Sequence, residues 1–442
     1  METNQRHFNR GSVPTGYDID NSLKLESDNS ETLYKANANG NRRTWTTSMW
    51  IKRTELSTVD YLILHGVYGY PTGIRFSTDN KLELLLSDLT STEYKWVSNA
   101  RFRDTSAWYH IVCRVDTTQG TASNRQKVYV NGEEITWSSS ATIAQNFDTL
   151  ANYVQGVYDD VQFSYKEASQ YSNMYLAEVH HCDGYSYAPT EFGEVNSSTG
   201  IWTPIEADVS YGTNGFYLDF KDSSALGNDA NGGTDLTLSN IAAADQSTDT
   251  PTNNFCTLNP LIKPKYAYSK MSEGATVYDT STGGVSGALG TFAVTAGKWY
   301  WECKLIEVAN HYIGVSAVDD GDNFYAASDP QDINSTFQFA MGAARIEYFN
   351  GGSKTYGSVD QFTDVSANDI CGIALNMDDN QITLYINGTE QTNVDDSSLY
   401  DAANKMCAPF HGTIDDEVQY NFGGYCAYTI SSAVNDENGY GT

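Results

Sequence analysis

The chain has 442 residues, 40% hydrophobic and 13% aromatic, with 26 Lys and Arg against 56 Asp and Glu, a formal charge of −30. That length exceeds one ordinary domain and points to two or three. So negative a surface repels phosphate backbones, which excludes nucleic acid as a natural partner, and no apolar run reaches a membrane span, so no membrane insertion is expected.

Residues 1–20 form a polar arm. It holds Gly11, Pro14 and Gly16, lacks hydrophobic periodicity, and is locally basic through Arg6, His7 and Arg10. Such a segment cannot offset the entropy of its own ordering, so it is expected to dock on a partner, folding back along its own sandwich being the alternative. The start carries no apolar core of a secretory signal, so folding in a cytoplasm is expected.

Residues 21–200 carry the first set of strands. Trp45, Thr47, Met49 and Ile51 alternate with Thr46, Ser48, Trp50 and Lys52, and Ile111, Cys113 and Val115 alternate with His110, Val112 and Arg114. Period two with one apolar phase predicts half-buried strands. Residues 201–262 are richer in Gly, Asn, Asp and Ser, with strand-like pieces such as 215–220, and are expected to form an ordered connector. Residues 263–442 carry the second set. In its clearest strand Trp299, Trp301, Cys303 and Leu305 face one way and Tyr300, Glu302 and Lys304 the other.

An internal echo links the two sets. Residues 111–116 precede 128–133, and residues 371–376 precede 384–389; each unit is a strand, a polar turn and a strand ending in Asn-Gly. Asn131-Gly132 and Asn387-Gly388 suit the two positive φ angles of a type I′ hairpin turn. The expected fold class is all-β: two jelly-roll antiparallel β-sandwiches joined by an ordered connector. The seven cysteines are widely spaced with no CxxC pair, and several fall on the apolar phase of strands. They are read as mostly reduced thiols.

No catalytic residue is assigned. The chain has no Glu-x-Asp-x-Glu run, no Gly-x-Ser-x-Gly elbow and no phosphate-cradling loop. Glu178 reads as a solvated or hydrogen-bonded strand residue. His180 and His181 are neighbours on one strand and point to opposite faces, so with Cys182 and Asp183 they cannot chelate one ion. Tyr68, Tyr70, Tyr185 and Tyr187 sit in loops and are the ligand-binding candidates, because tyrosine rings give contact area at low entropy cost. Packing against a neighbouring subunit is their alternative use. Asp159, Asp160, Asp319, Asp320 and Asp322 form acidic turns of the kind hard cations use, against the alternative of solvated turns. No cofactor is required, and Ca²⁺ is the one these turns would serve.

Several motifs carry a resemblance. Residues 21–25, 44–46, 49–53, 108–112, 128–132, 175–179 and 189–193 resemble the LamG-like, concanavalin A-like lectin/glucanase family over most of residues 20–200. Residues 297–302, 313–316, 370–376, 384–388, 408–410 and 418–423 are similar to a SPRY domain. Both families are jelly-roll sandwiches, and LamG-like sandwiches often carry Ca²⁺ at a rim. The pairing of the two modules looks like structural proteins of marine bacteriophages. That resemblance implies a virion surface protein, either a tail fibre or spike or a capsid decoration. It would fold in the host cytoplasm and bind host-surface glycans or neighbouring virion proteins through sandwich loops. Its arm would meet other virion proteins, it would form a homo-oligomer in the particle, and it would carry no catalytic step. Two other readings stay open: a glycan depolymerase on the LamG-like module, and a cellular SPRY-type protein-interaction protein.

Overall fold

β-Branched and aromatic residues at alternate positions favour pleated strands over helices, and the described residues contain no α-helix, only three-residue 3-10 turns. The computed structural model describes residues 6–7, 16–66, 71–88, 92–154, 160–166, 170–262, 270–280, 285–308, 311–318, 336–350, 353–395, 406–414 and 416–430. The chain divides into two units, one of Gly11–Asn254 and one of Phe255–Thr442 with Met1–Arg10. Among the described residues no helix is long and apolar enough to cross a membrane.

In the N-terminal unit two eight-stranded antiparallel sheets face each other. One runs in the order Glu133–Glu134, Gln126–Val130, Trp108–Asp116, Thr44–Arg53, Met174–Asp183, Ser22–Leu25 and Gln246–Ser247, with Phe216–Leu218 also paired to Met174–Asp183. The other runs Trp137–Ser139, Glu93–Arg101, Lys81–Ser87, Thr72–Phe76, Asp60–His65, Asp160–Phe163, Thr32–Ala36 and Thr237–Ser239. Trp45, Met49, Ile51, Ile111, Cys113 and Val115 lie in the core between them, as their alternation predicts. Asn131 and Gly132 both take positive φ, +50° and +82°, so the turn is of the expected kind.

The strand Met174–Asp183 breaks the simple alternation. Ala177 pairs with Trp50 and His180 with Ser48, so its neighbour has one residue fewer across the same span. This is a β-bulge, and Glu178 takes φ +46° within it. The bulge changes the phase of the strand. Leu176 before it and Val179 after it both enter the core, and His181 follows them inward beside Trp45 and His65. Glu178 and His180 therefore share the outer face. Glu178 is buried rather than solvated; its carboxylate accepts hydrogen bonds from the Tyr17 hydroxyl at 3.0 Å and the Tyr217 hydroxyl at 2.8 Å.

Residues 201–262 do not form a separate connector. Up to Asn254 they belong to the N-terminal unit, and the remainder to the C-terminal one. Phe216–Leu218, Thr237–Ser239 and Gln246–Ser247 are strands of the two N-terminal sheets. The physical reason lies on the outer face of the first sheet, where Trp50, His110, Val112 and Cys182 need cover. Trp202 stacks on His110 at 5.9 Å, and Phe192 and Tyr211 pack with Val112 and Cys182. Buried ion pairs fasten the rest: Lys52 Nζ lies 2.6 Å from Asp249 Oδ2, and Lys24 Nζ 2.9 Å from Asp245 Oδ1.

The C-terminal unit is a second sandwich. One sheet holds Lys270–Ser272, Val277–Asp279, Glu417–Asn421, Lys298–Leu305, Ile370–Asn376, Gln381–Ile386 and Thr389–Asp395 in that order. The other holds Val285–Leu289, Cys407–Ile414, Tyr312–Ala317, Thr336–Ala340, Arg345–Asn350 and Ser353–Tyr356. Trp301, Cys303 and Leu305 are buried in the core between them, while Trp299 is half-buried at its margin. None of the seven cysteines forms a disulfide. Arg6–His7 of the arm pairs in parallel with Trp299 and Tyr300 of the C-terminal sheet, not with the N-terminal sandwich that the arm precedes.

Candidate functional site: an aromatic cleft on the N-terminal sandwich

Three loops meet where the strand Thr44–Arg53 begins and the strand Met174–Asp183 ends. They carry Gly40, Asn41, Arg42 and Arg43; Asp183, Gly184 and Tyr185; and Gly212 and Thr213. With Asp148 they line an open depression of about 680 Å³. Asp183 organises its floor. One carboxylate oxygen accepts the Asn41 backbone N–H at 2.7 Å, and the other accepts the backbone and side-chain N–H groups of Asn214, each at 3.1 Å. Gly212 takes φ +72° and packs on the Asp183 backbone, and Gly40 leaves room for the Asp183 carboxylate. A Cβ at Gly40 would lie 2.1 Å from Asp183 Oδ2, and one at Gly212 2.0 Å from the Asp183 carbonyl oxygen.

Beneath the floor, Asn152 donates from Nδ2 to the Asn41 carbonyl at 3.1 Å and turns its Oδ1 to His181 Nε2 at 3.0 Å. That orientation makes Nε2 the protonated nitrogen, and Nδ1 accepts from the Thr47 hydroxyl at 2.9 Å. Burial first, then neighbouring His65 and Lys35, push the His181 pKa well below the ordinary imidazole range. The ring beneath the cleft is neutral.

Tyr185 forms the wall and is 41% exposed. Its ring stacks on Tyr187 with centroids 5.5 Å apart and planes 11° apart. Thr46 ties the two together: its hydroxyl donates to the Tyr185 carbonyl at 2.9 Å and accepts the Tyr187 N–H at 2.8 Å. The Tyr187 hydroxyl accepts the Ser210 N–H at 2.9 Å. Tyr187 is thus held, and it holds Tyr185 with one face against a neighbour. Opposite charges complete the lining. Arg43 donates from Nε and Nη2 to the two oxygens of Asp148, at 2.7 and 3.2 Å. The bonded guanidinium holds the Asp148 carboxyl below its usual pKa and Asp148 in turn raises that of Arg43. Both carboxylates are so engaged, and the rest of the lining offers a ring for stacking and groups for hydrogen bonding.

Of the sequence-predicted ligand residues, Tyr185 and Tyr187 come together here, whereas Tyr68 and Tyr70 lie outside the described residues. Asp159, Asp319, Asp320 and Asp322 also lie outside them. Asp160 is half-buried at the head of its strand, its Oδ2 3.5 Å from Gln162 Nε2. Among the described residues no group of three or more His, Cys, Asp or Glu side chains is arranged to hold a metal ion. Sequence reasoning missed Arg42, Arg43, Asp148 and Asp183 as cleft residues. The one local signal was Asn-Arg-Arg ahead of a strand on an acidic chain; Asp148 and Asp183 are distant in sequence and joined only by folding.

Part of the chain is similar to known proteins. Residues 25–170 match the model of the concanavalin A-like lectin/glucanases superfamily. No curated protein matches the chain. Among solved structures, the SPRY domain of human HERC1 is 13% identical, with TM-score 0.29, over 37% of this chain and 96% of that one. The PSpry domain of TRIM65 is 12% identical, with TM-score 0.29, over 40% of this chain and 93% of that one. A proposed carbohydrate binding protein from Bacteroides ovatus is 15% identical, with TM-score 0.36, over 50% of this chain; the match spans 58% of that protein's own length.

Proposed function

We propose that this chain is a non-catalytic binding protein of a bacteriophage particle surface, and that it holds host-surface glycans in the cleft walled by Tyr185. One observation carries the glycan reading: a half-exposed tyrosine ring, fixed by stacking on Tyr187, stands over a concave site rimmed with hydrogen-bonding groups. The apolar face of a sugar ring fits such a wall, and its hydroxyls find donors and acceptors around it. The concanavalin A-like match over residues 25–170 supports the same reading. The virion placement rests on the pairing of a LamG-like with a SPRY-like module and on the acidic surface. In this reading several copies sit in one particle, and the arm or the sandwich loops meet other virion proteins.

A glycan array with the full chain tests the central step. Binding is expected for the wild type and is lost in Tyr185→Ala, whose melting stays unchanged because the ring is partly solvated. Binding that survives Tyr185→Ala, or no binding to any glycan, overturns the assignment. Reducing ends should not accumulate when the protein is incubated with polysaccharides it binds; their release would favour a depolymerase. Immunogold labelling of particles tests the virion placement, and deletion of residues 2–16 should abolish incorporation if the arm is the anchor.

A further inference from the structure

Two adjacent arginines line the Tyr185 cleft on a chain whose formal charge is −30. Their hydrogen bonds differ in kind. Arg42 donates from Nε to the Thr149 carbonyl at 2.7 Å and from Nη2 to the Asp148 carbonyl at 3.1 Å, with its guanidinium 4.1 Å from the centre of the Tyr153 ring. Backbone carbonyls take its hydrogen bonds without cancelling its charge. Arg43 spends one edge of its fork, Nε and Nη2, on the Asp148 carboxylate. A guanidinium has a second edge, Nη1 and Nη2, equally suited to a planar carboxylate. That edge has no partner among the described residues, and the side chain is 43% exposed. The other carboxylate of the cleft, Asp183, is taken up by the Asn41 and Asn214 N–H groups and does not compete for it.

We propose that the cleft selects acidic sugars, with a uronate ring on Tyr185 and its carboxylate on the open edge of Arg43. The inference rests on the glycan-binding reading above and narrows it to one ligand class. A flat carboxylate fits the open edge of Arg43 as Asp148 fits the other, and the direct guanidinium–carboxylate pair supplies the attraction. Because the pair is partly exposed, that attraction is screened by salt.

The test is an array in which galacturonate, guluronate and glucuronate oligosaccharides stand beside neutral galactan, mannan and glucan and beside sulfated galactan. Affinities are then measured by calorimetry on the full chain. The wild type is expected to prefer a uronate over its neutral counterpart by about tenfold or more, with the preference shrinking as salt is raised. Arg43→Gln should bring the uronate down to the affinity of its neutral counterpart, with melting lowered by no more than an exposed ion pair is worth, and Arg43→Lys should keep part of the preference. Tyr185→Ala should lose both ligand classes. Equal affinity for neutral and acidic sugars, or a preference that survives Arg43→Gln, overturns the acidic-sugar inference and leaves glycan binding standing. A preference for sulfated over uronate ligands overturns the choice of carboxylate. Absence of binding to every glycan overturns the underlying reading and this inference with it.

Discussion

His65 sits in the N-terminal core between Trp45 and His181, 1% exposed, and among the described residues neither ring nitrogen has a hydrogen-bond partner. Burial pushes its pKa down to about 3. His110 is held equally neutral by different means. Trp202 Nε1 donates to its Nδ1 at 2.9 Å, so Nε2 bears the proton and donates to the Ser48 hydroxyl at 2.8 Å, and burial sets its pKa at about 3. A histidine whose folded pKa lies below its unfolded value near 6.5 stabilises the fold fully above pH 6.5 and loses that contribution as pH falls toward 3. Between pH 7.5 and pH 5 each such ring accounts for a loss of about 2 kcal/mol. His65→Leu removes one of them and leaves no orphaned donor behind. Urea unfolding at both pH values should therefore show a drop in stability about 2 kcal/mol smaller in the variant than in the wild type. An equal drop in both would mean that His65 is already hydrated in the native state.

Ion pairs that join elements differ sharply in worth with burial. Lys52 and Asp249 are 0% and 1% exposed, and Asp249 also accepts the Trp108 indole N–H at 2.9 Å. Asp249→Ala strands a buried ammonium, which costs about 3–5 kcal/mol. Arg43 and Asp148 are 43% and 45% exposed, so Asp148→Ala should cost about 1 kcal/mol or less. Denaturant titration of the two variants checks the contrast; comparable losses would refute the buried latch. The same scale separates what alternation can and cannot reveal. Trp45, Met49 and Ile51 follow period two because their strand is regular. The strand Met174–Asp183 does not, since the bulge at Glu178 moves the inward phase from even to odd positions. Nothing in residues 174–183 alone announces that insertion; it exists only relative to the strand beside it.

For the whole molecule, the strands after residue 200 decide where a domain can be cut. A fragment of residues 11–254 keeps Phe216–Leu218, Thr237–Ser239 and Gln246–Ser247 in their sheets and Asp249 on Lys52. A fragment of residues 11–200 loses all of them and bares the outer face that carries Trp50 and Val112. The longer fragment should melt in one cooperative transition followed by circular dichroism. The shorter one should be insoluble or rapidly proteolysed. Cooperative melting of both would restore the connector reading of residues 201–262.

Alternation, the two Asn-Gly turns and the lack of helical periodicity are local properties, and they were enough to determine an all-β chain with two sandwiches. Asn387 and Gly388 take φ +48° and +75° because few other residues tolerate that pair of conformations. The loop tyrosines Tyr185 and Tyr187 were legible as ligand candidates for the same reason, since three consecutive polar or aromatic loop positions need no partner to be recognised. The cleft they wall was not. Asp183 meets Asn41 across 142 positions and Arg43 meets Asp148 across 105, and a contact over such separations is made by sheet pairing rather than by any neighbour in the chain. Tertiary structure also decided that Glu178 is buried, and that a Gly- and Asn-rich stretch covers a sheet face instead of linking two domains. Each depends on what lies on the facing surface, a quantity that short-range residue patterns do not contain.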